Sequence, residues 1–167
     1  MIFGYTGRKD YKDSKGFLWR PGLEVVAHVG AKQDSLAACS WTNTNQTVGG
    51  TKNPELYKYG IHGRNFWINL TVDPGEYDLR LAFANTRGLD TRTNSFDILI
   101  NGKMVAEKFD VNAAAGGTSK AVDLIYKNIK PRNGVIEVRF KGGSQSVDGK
   151  LQRGDAFVQA LELTAAR

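Results

Sequence analysis

The sequence holds one cysteine, two histidines and four prolines in 167 residues, and each scarcity closes off a class of function. A single thiol, Cys39, excludes an intrachain disulfide and any zinc site built from thiolates. His28 and His62 leave a serine or cysteine nucleophile with almost no candidate base. His28 sits in an apolar run and His62 between Ile61 and Gly63, in what reads as a turn, so structural or solvated roles are expected for both. A Gly-rich phosphate loop is missing too, because Ala115-Gly116-Gly117-Thr118 lacks the lysine. Nothing here implies a metal or a cofactor. No apolar run approaches the roughly 18 residues of a membrane helix. The segment Met1 to Asp10 lacks the apolar centre of a signal peptide, though a secreted parent chain could carry its leader upstream.

Charge of one sign is also scarce. The net charge is +6, but residues 1–60 carry 8 Lys/Arg against 5 Asp/Glu and the remainder 15 against 12. An excess spread this evenly is a solubility charge; it is no footprint for nucleic acid, which needs clustered cations. With hydrophobic residues at 41% and charged residues at 24%, the chain is globular.

What the sequence does have is alternation and turn chemistry. Phe66, Ile68, Leu70 and Val72 recur with the period of a half-buried strand, and Tyr77 to Phe83 alternates again. Asp73-Pro74-Gly75-Glu76 lies between them and predicts a hairpin. Ser95–Ile100, Asn101-Gly102 and Lys103–Phe109 read as strand, two-residue turn, strand, since both Asn and Gly accept positive φ. Ala121–Lys130, Pro131-Arg132-Asn133-Gly134 and Val135–Phe140 repeat the device. Ala156–Leu163 reads as a closing strand and Leu23–Val29 as an early one. With 19 glycines and no helix expected beyond about two turns, the fold class is all-β: a two-sheet antiparallel β-sandwich of jelly-roll type, in one domain over residues 1–167 excised from a larger chain.

Candidate chemistry lies in the irregular segments. The acids sit mostly on outward strand positions or in turns, as Asp78, Asp97, Glu107 and Glu137 do, and no pair is singled out for glycoside hydrolysis. Two Asn-x-Thr sequons, at Asn45 and Asn69, matter only in a eukaryotic secretory pathway. Trp19, Trp41, Tyr57 and Tyr59 fall outside the alternating pattern, among Asn, Gln, Thr and Gly. Flat aromatics beside fork-shaped polar side chains are what a sugar requires; ordinary core positions for Trp19 and Trp41 are the competing reading.

Several segments together resemble the malectin-like carbohydrate-binding domains. They are Asp13–Trp19, Leu56–Gly60, Gly75–Ala84, Asn94–Gly102, Phe109-Asp110-Val111 and Ala156–Leu163. The resemblance implies a jelly-roll sandwich with ligand contacts on loops at one end. In bacterial versions it implies a module appended to a glycoside hydrolase, secreted, periplasmic or on the cell surface. It aligns Tyr57, Tyr59 and Asp155 with contact positions of malectin. The Tyr-Phe pair of malectin is replaced by Asn85-Thr86-Arg87-Gly88-Leu89, which points away from malectin's glucose disaccharide and toward other sugars, an acidic one met by Arg87 among them. Trp41 and Arg87 join the candidate site on chemistry alone.

The expectation is therefore a non-catalytic module that holds an oligo- or polysaccharide through Trp41, Tyr57, Tyr59, Arg87 and Asp155. Its second partner would be a catalytic domain of the parent chain, and neither nucleic acid nor membrane is expected. The alternative is a structural module that packs against a catalytic domain and binds no sugar. Exposed aromatics beside Asp155 would favour the first, buried ones the second.

Overall fold

The computed structural model describes residues 1–7, 9–22, 38–87, 95–147 and 150–166. The expected strand Leu23–Val29, with His28, and the loop residues Gly88 and Leu89 lie outside them. In chain order the strands are β1 (Tyr11–Lys12), β2 (Leu18–Trp19), β3 (Cys39–Thr42), β4 (Tyr59–Gly63), β5 (Asn65–Thr71), β6 (Tyr77–Phe83) and β7 (Ser95–Ile100). They continue with β8 (Lys103–Asp110), β9 (Val122–Ile129), β10 (Val135–Gly142), β11 (Ser144–Val147), β12 (Lys150–Arg153), β13 (Ala156–Val158) and β14 (Ala160–Ala165). A 3-10 turn at Pro54–Tyr57 and a five-residue helix α1 (Val111–Ala115) complete the described elements. Helix α1 is kept short by its caps: the Asp110 side chain accepts from the Ala113 amide, and Gly116 ends the helix in a left-handed conformation.

The protein is an all-β antiparallel sandwich. One layer is the sheet β5-β10-β7-β8; the other comprises β14-β6-β9 and β13-β4-β3. Alternation explains the core directly. Phe66, Ile68 and Leu70 of β5, Leu79, Leu81 and Phe83 of β6, and Ile136, Val138 and Phe140 of β10 are all buried in one cluster. Each such side chain contributes about 1.5–3 kcal/mol by leaving water. Aromatics join the layers: Phe83 lies 5.9 Å from Phe96, and Phe96 lies 5.3 Å from Phe157. A second, smaller core forms outside β6 and β14. There the small side chains of Ala82, Ala84 and Ala160 let Trp19, Leu56, Tyr57 and Tyr59 pack closely against the sheet.

The three expected hairpins divide one to two. Asn101-Gly102 turns β7 into β8 as a true hairpin, with φ of 50° and 78° and Ile100 opposite Lys103. Asp73–Glu76 does not make one. Strand β5 pairs with β10, whereas β6 pairs with β14 and β9. The same correction applies at Pro131–Gly134, which carries the chain from β9 in one layer to β10 in the other. The physical reason is shared. Two strands joined by a crossing loop can turn their apolar faces toward each other across the core, which hairpin partners in one sheet cannot do. The two crossings lie side by side, with the Val72 amide donating to the Gly134 carbonyl at 2.9 Å.

The closing strand is also two strands. It breaks at Gln159, which is fully buried. The Gln159 amide donates to the Ala82 carbonyl (3.1 Å), and its own carbonyl accepts from the Phe3 amide (2.8 Å). The side-chain amide donates to the Ala84 carbonyl. The break lets β13 pair with β4 and β14 with β6, and Asp155 is the residue before β13.

Candidate functional site

Strand pairing brings Cys39, Trp41 and His62 together. Cys39 faces His62 across the β3–β4 ladder and Trp41 faces Gly60. The missing side chain at Gly60 makes room for the indole. A Cβ there would stand 2.6 Å from Cζ2 of the Trp41 ring and nearer still to its neighbours. The ring also meets Phe157 edge-on at 5.9 Å and His62 at 6.0 Å. His62 is therefore a strand residue beside a polar cluster, where the sequence reading set it in a turn.

The segment after β6 supplies the opposite wall. Asn85 and Thr86 are buried. The Thr86 hydroxyl donates to the Tyr57 carbonyl (3.0 Å) and accepts from the Trp41 indole N–H (3.4 Å), while the Asn43 amide donates to the Thr86 carbonyl (2.8 Å). These bonds hold Arg87 over the Trp41 ring, 5.5 Å from its centroid, in cation–π geometry.

Asp155 closes the cluster. Its Oδ2 takes His62 Nδ1 at 2.7 Å and stands 3.9 Å from the Arg87 guanidinium. The hydrogen bond to His62 holds the Asp155 carboxyl below its ordinary range; burial works against this, and the charges of His62, Arg87 and Arg64 support it. Burial pulls the Arg87 guanidinium below its usual value as well, which disfavours its charged form, with Asp155 and Cys39 opposing; it stays cationic at neutral pH. Among the described residues Arg87 Nη1 and Asn85 Nδ2 are buried without a hydrogen-bond partner.

Of the five residues expected in the site, the structure groups Trp41, Arg87 and Asp155. Tyr57 and Tyr59 have buried rings and offer no open stacking face. Tyr57 is 1% exposed, and its hydroxyl donates to Asp123 Oδ1 at 2.7 Å. Asp123 in turn meets Arg80, which bridges to Glu162. Tyr59 is packed edge-on against Tyr5 and donates to Glu55 (2.8 Å); burial and that bond push its hydroxyl up to about 12. Both tyrosines brace the outer core, for the apolar reason that Ala82 and Ala84 leave space there. Trp19 is likewise a core residue, 3% exposed, donating to Asp13 at 3.1 Å.

His62 and Asn43 are the members the sequence reading missed. The signal available for His62 was its two-residue spacing from Gly60, which sets both on one face of a strand. Among the described residues no group of three or more His, Cys, Asp or Glu could hold a metal ion, and no helix is long and apolar enough to cross a membrane.

Comparison with known proteins bears on this geometry. Superposition on the ANX1 ectodomain of Arabidopsis thaliana gives a TM-score of 0.76 at 16% identity, covering 99% of this chain and 40% of that one. The plant receptor-like kinase FER superposes with a TM-score of 0.69 at 18% identity, over 98% of this chain and 40% of that one. A Bacteroides uniformis beta-glucuronidase superposes with a TM-score of 0.68 at 18% identity, over 95% and 17%. The chain thus spans well under half the length of each, and at these identities the likeness is one of fold. No curated protein sequence gives a significant match. The Malectin domain profile matches residues 4–161, so the chain belongs to the malectin-domain family, whose fold is a carbohydrate-binding one.

Proposed function

We propose that this domain holds a glycan, without catalysis of its own, at the end of the sandwich where Trp41, His62, Arg87 and Asp155 meet. One observation carries the reading: a partly exposed carboxylate, Asp155, stands beside a guanidinium that lies over an aromatic ring. Asp155 uses Oδ2 for His62 and Arg87, which leaves Oδ1 to accept from a sugar hydroxyl. Arg87, 3.9 Å from that carboxylate, would supply the donor that paired sugar hydroxyls require. Trp41 lies between Gly60 and Arg87, so its part is to seat the cation and present an edge. Tyr57 and Tyr59 support the wall from behind.

The parent chain in this reading is a secreted or cell-surface protein, and its catalytic domain is the second partner. Support comes from the beta-glucuronidase and the receptor ectodomains, which carry the same fold as a fraction of a longer chain. The competing reading, a module that packs on a neighbouring domain and binds no sugar, draws on the burial of both tyrosines and on Phe17 and Leu18, 59% and 66% exposed.

A glycan array on the whole chain separates the two. Binding of a defined glycan that falls about tenfold or more in Arg87→Ala and Asp155→Ala, the loss expected for a charged hydrogen bond of about 1.5–3 kcal/mol, is the expected result. A bound glycan indifferent to both substitutions, or no binding across the array, overturns the proposal.

A further inference from the structure

The opposite end of the sandwich carries a groove of about 670 Å³. Strand β6 fixes the geometry: Arg87 lies beyond its last residue, whereas its first residue, Tyr77, pairs with Ile129 beside the groove. The walls are two strand edges. Among the described residues, β8 ends one sheet, paired only with β7, and β9 ends the other, paired only with β6. Their outward N–H and C=O groups are a template for another extended backbone.

The side chains lining the groove are of one sign. Lys103, Lys127, Lys130 and Arg132 are all exposed around it, and among the described residues no Asp or Glu lines it. Among the described residues only Lys130 of the four has an acidic partner, Glu76 at 3.2 Å, and that pair is 75% and 44% exposed, too solvated to neutralise the site. Between the cations lie Tyr126, half-buried, and Ile125, 61% exposed. Four of the 23 Lys and Arg residues of the chain stand around this one groove.

We propose that this groove is a docking site for an extended acidic polypeptide segment, whose carboxylates meet Lys103, Lys127 and Arg132 while an apolar side chain covers Ile125. The strand edges select an extended peptide backbone, and the charge selects an acidic one. An aliphatic contact at Ile125 fits a peptide side chain and does nothing for a sugar hydroxyl. Edge lysines also keep sheets from pairing with one another, and that role alone requires no affinity for a peptide.

The test uses the whole chain and a fluorescein-labelled eight-residue peptide of alternating Glu and Val, with a Lys-Val peptide and an oligogalacturonate of equal charge as controls. The Glu-Val peptide should bind, at least tenfold more weakly at 0.5 M than at 0.05 M salt. It should bind at least tenfold more weakly to Lys127→Glu/Arg132→Glu, at unchanged melting temperature. Amide shifts in NMR spectra should fall at residues 103–105 and 125–132, and leave Trp41 and His62 unmoved. Equal binding of the Lys-Val peptide, binding indifferent to the double variant, or binding of the oligogalacturonate alone would each overturn the proposal.

Discussion

His62 Nδ1 and Asp155 Oδ2 stand 2.7 Å apart, so the short contact that joins β4 to the residue before β13 also favours the ionised form of Asp155. That hydrogen bond holds the Asp155 carboxyl below its ordinary 3.8. A depressed carboxylate stabilises the folded state fully above its unfolded pKa of about 3.9, and the contribution fades as the pH falls through the lower folded value. Asp155→Asn should therefore show a shallower loss of stability than the native chain below about pH 4, where unfolded carboxylates titrate. Urea unfolding at stepped pH measures the difference.

Gly60 and Trp41 depend on each other in the opposite sense, through space withheld. Gly60→Ala puts a methyl group where the indole lies, and overpacking of this kind costs about 1–3 kcal/mol. The variant should melt lower and shift its tryptophan emission. Adding Trp41→Leu should recover most of the loss, which a thermal-melt series would show.

Tyr57→Phe removes the hydroxyl bonded to Asp123 and leaves the ring in the outer core. The expected cost is about 1 kcal/mol of stability, since Asp123 keeps Arg80 as a partner. Glycan affinity should stay unchanged. Isothermal titration beside chemical unfolding separates the two; a large affinity loss at full stability would return Tyr57 to the binding surface.

Gly102→Ala tests the one true hairpin among the three expected. At φ 78° an alanine is strained by about 1 kcal/mol or more, and no Cβ clash adds to it, because nothing lies within 4 Å. The midpoint of urea unfolding should fall while the slope stays constant.

Local physics made much of this protein legible from sequence. Strand faces followed from period-two alternation, as in Phe66, Ile68 and Leu70, because adjacent side chains point to opposite sides whatever the strand pairs with. The Asn101-Gly102 turn followed because positive φ at two successive positions is a property of those residues themselves. Cys39 and two histidines bounded the chemistry by their number alone.

Tertiary structure decided everything that depends on partners distant in the chain. Asp73–Glu76 carries the chemistry of a hairpin, yet β5 and β6 face each other across the core, because burying two apolar faces outweighs local pairing. Tyr57 and Tyr59 look like site residues beside Gly60, but the small side chains of Ala82 and Ala84 opened a buried space that took both rings. His62 met Asp155 only because the break at Gln159 re-aimed the last strand. A side chain's exposure is set by the shape of what packs on it, and that shape comes from residues far along the chain.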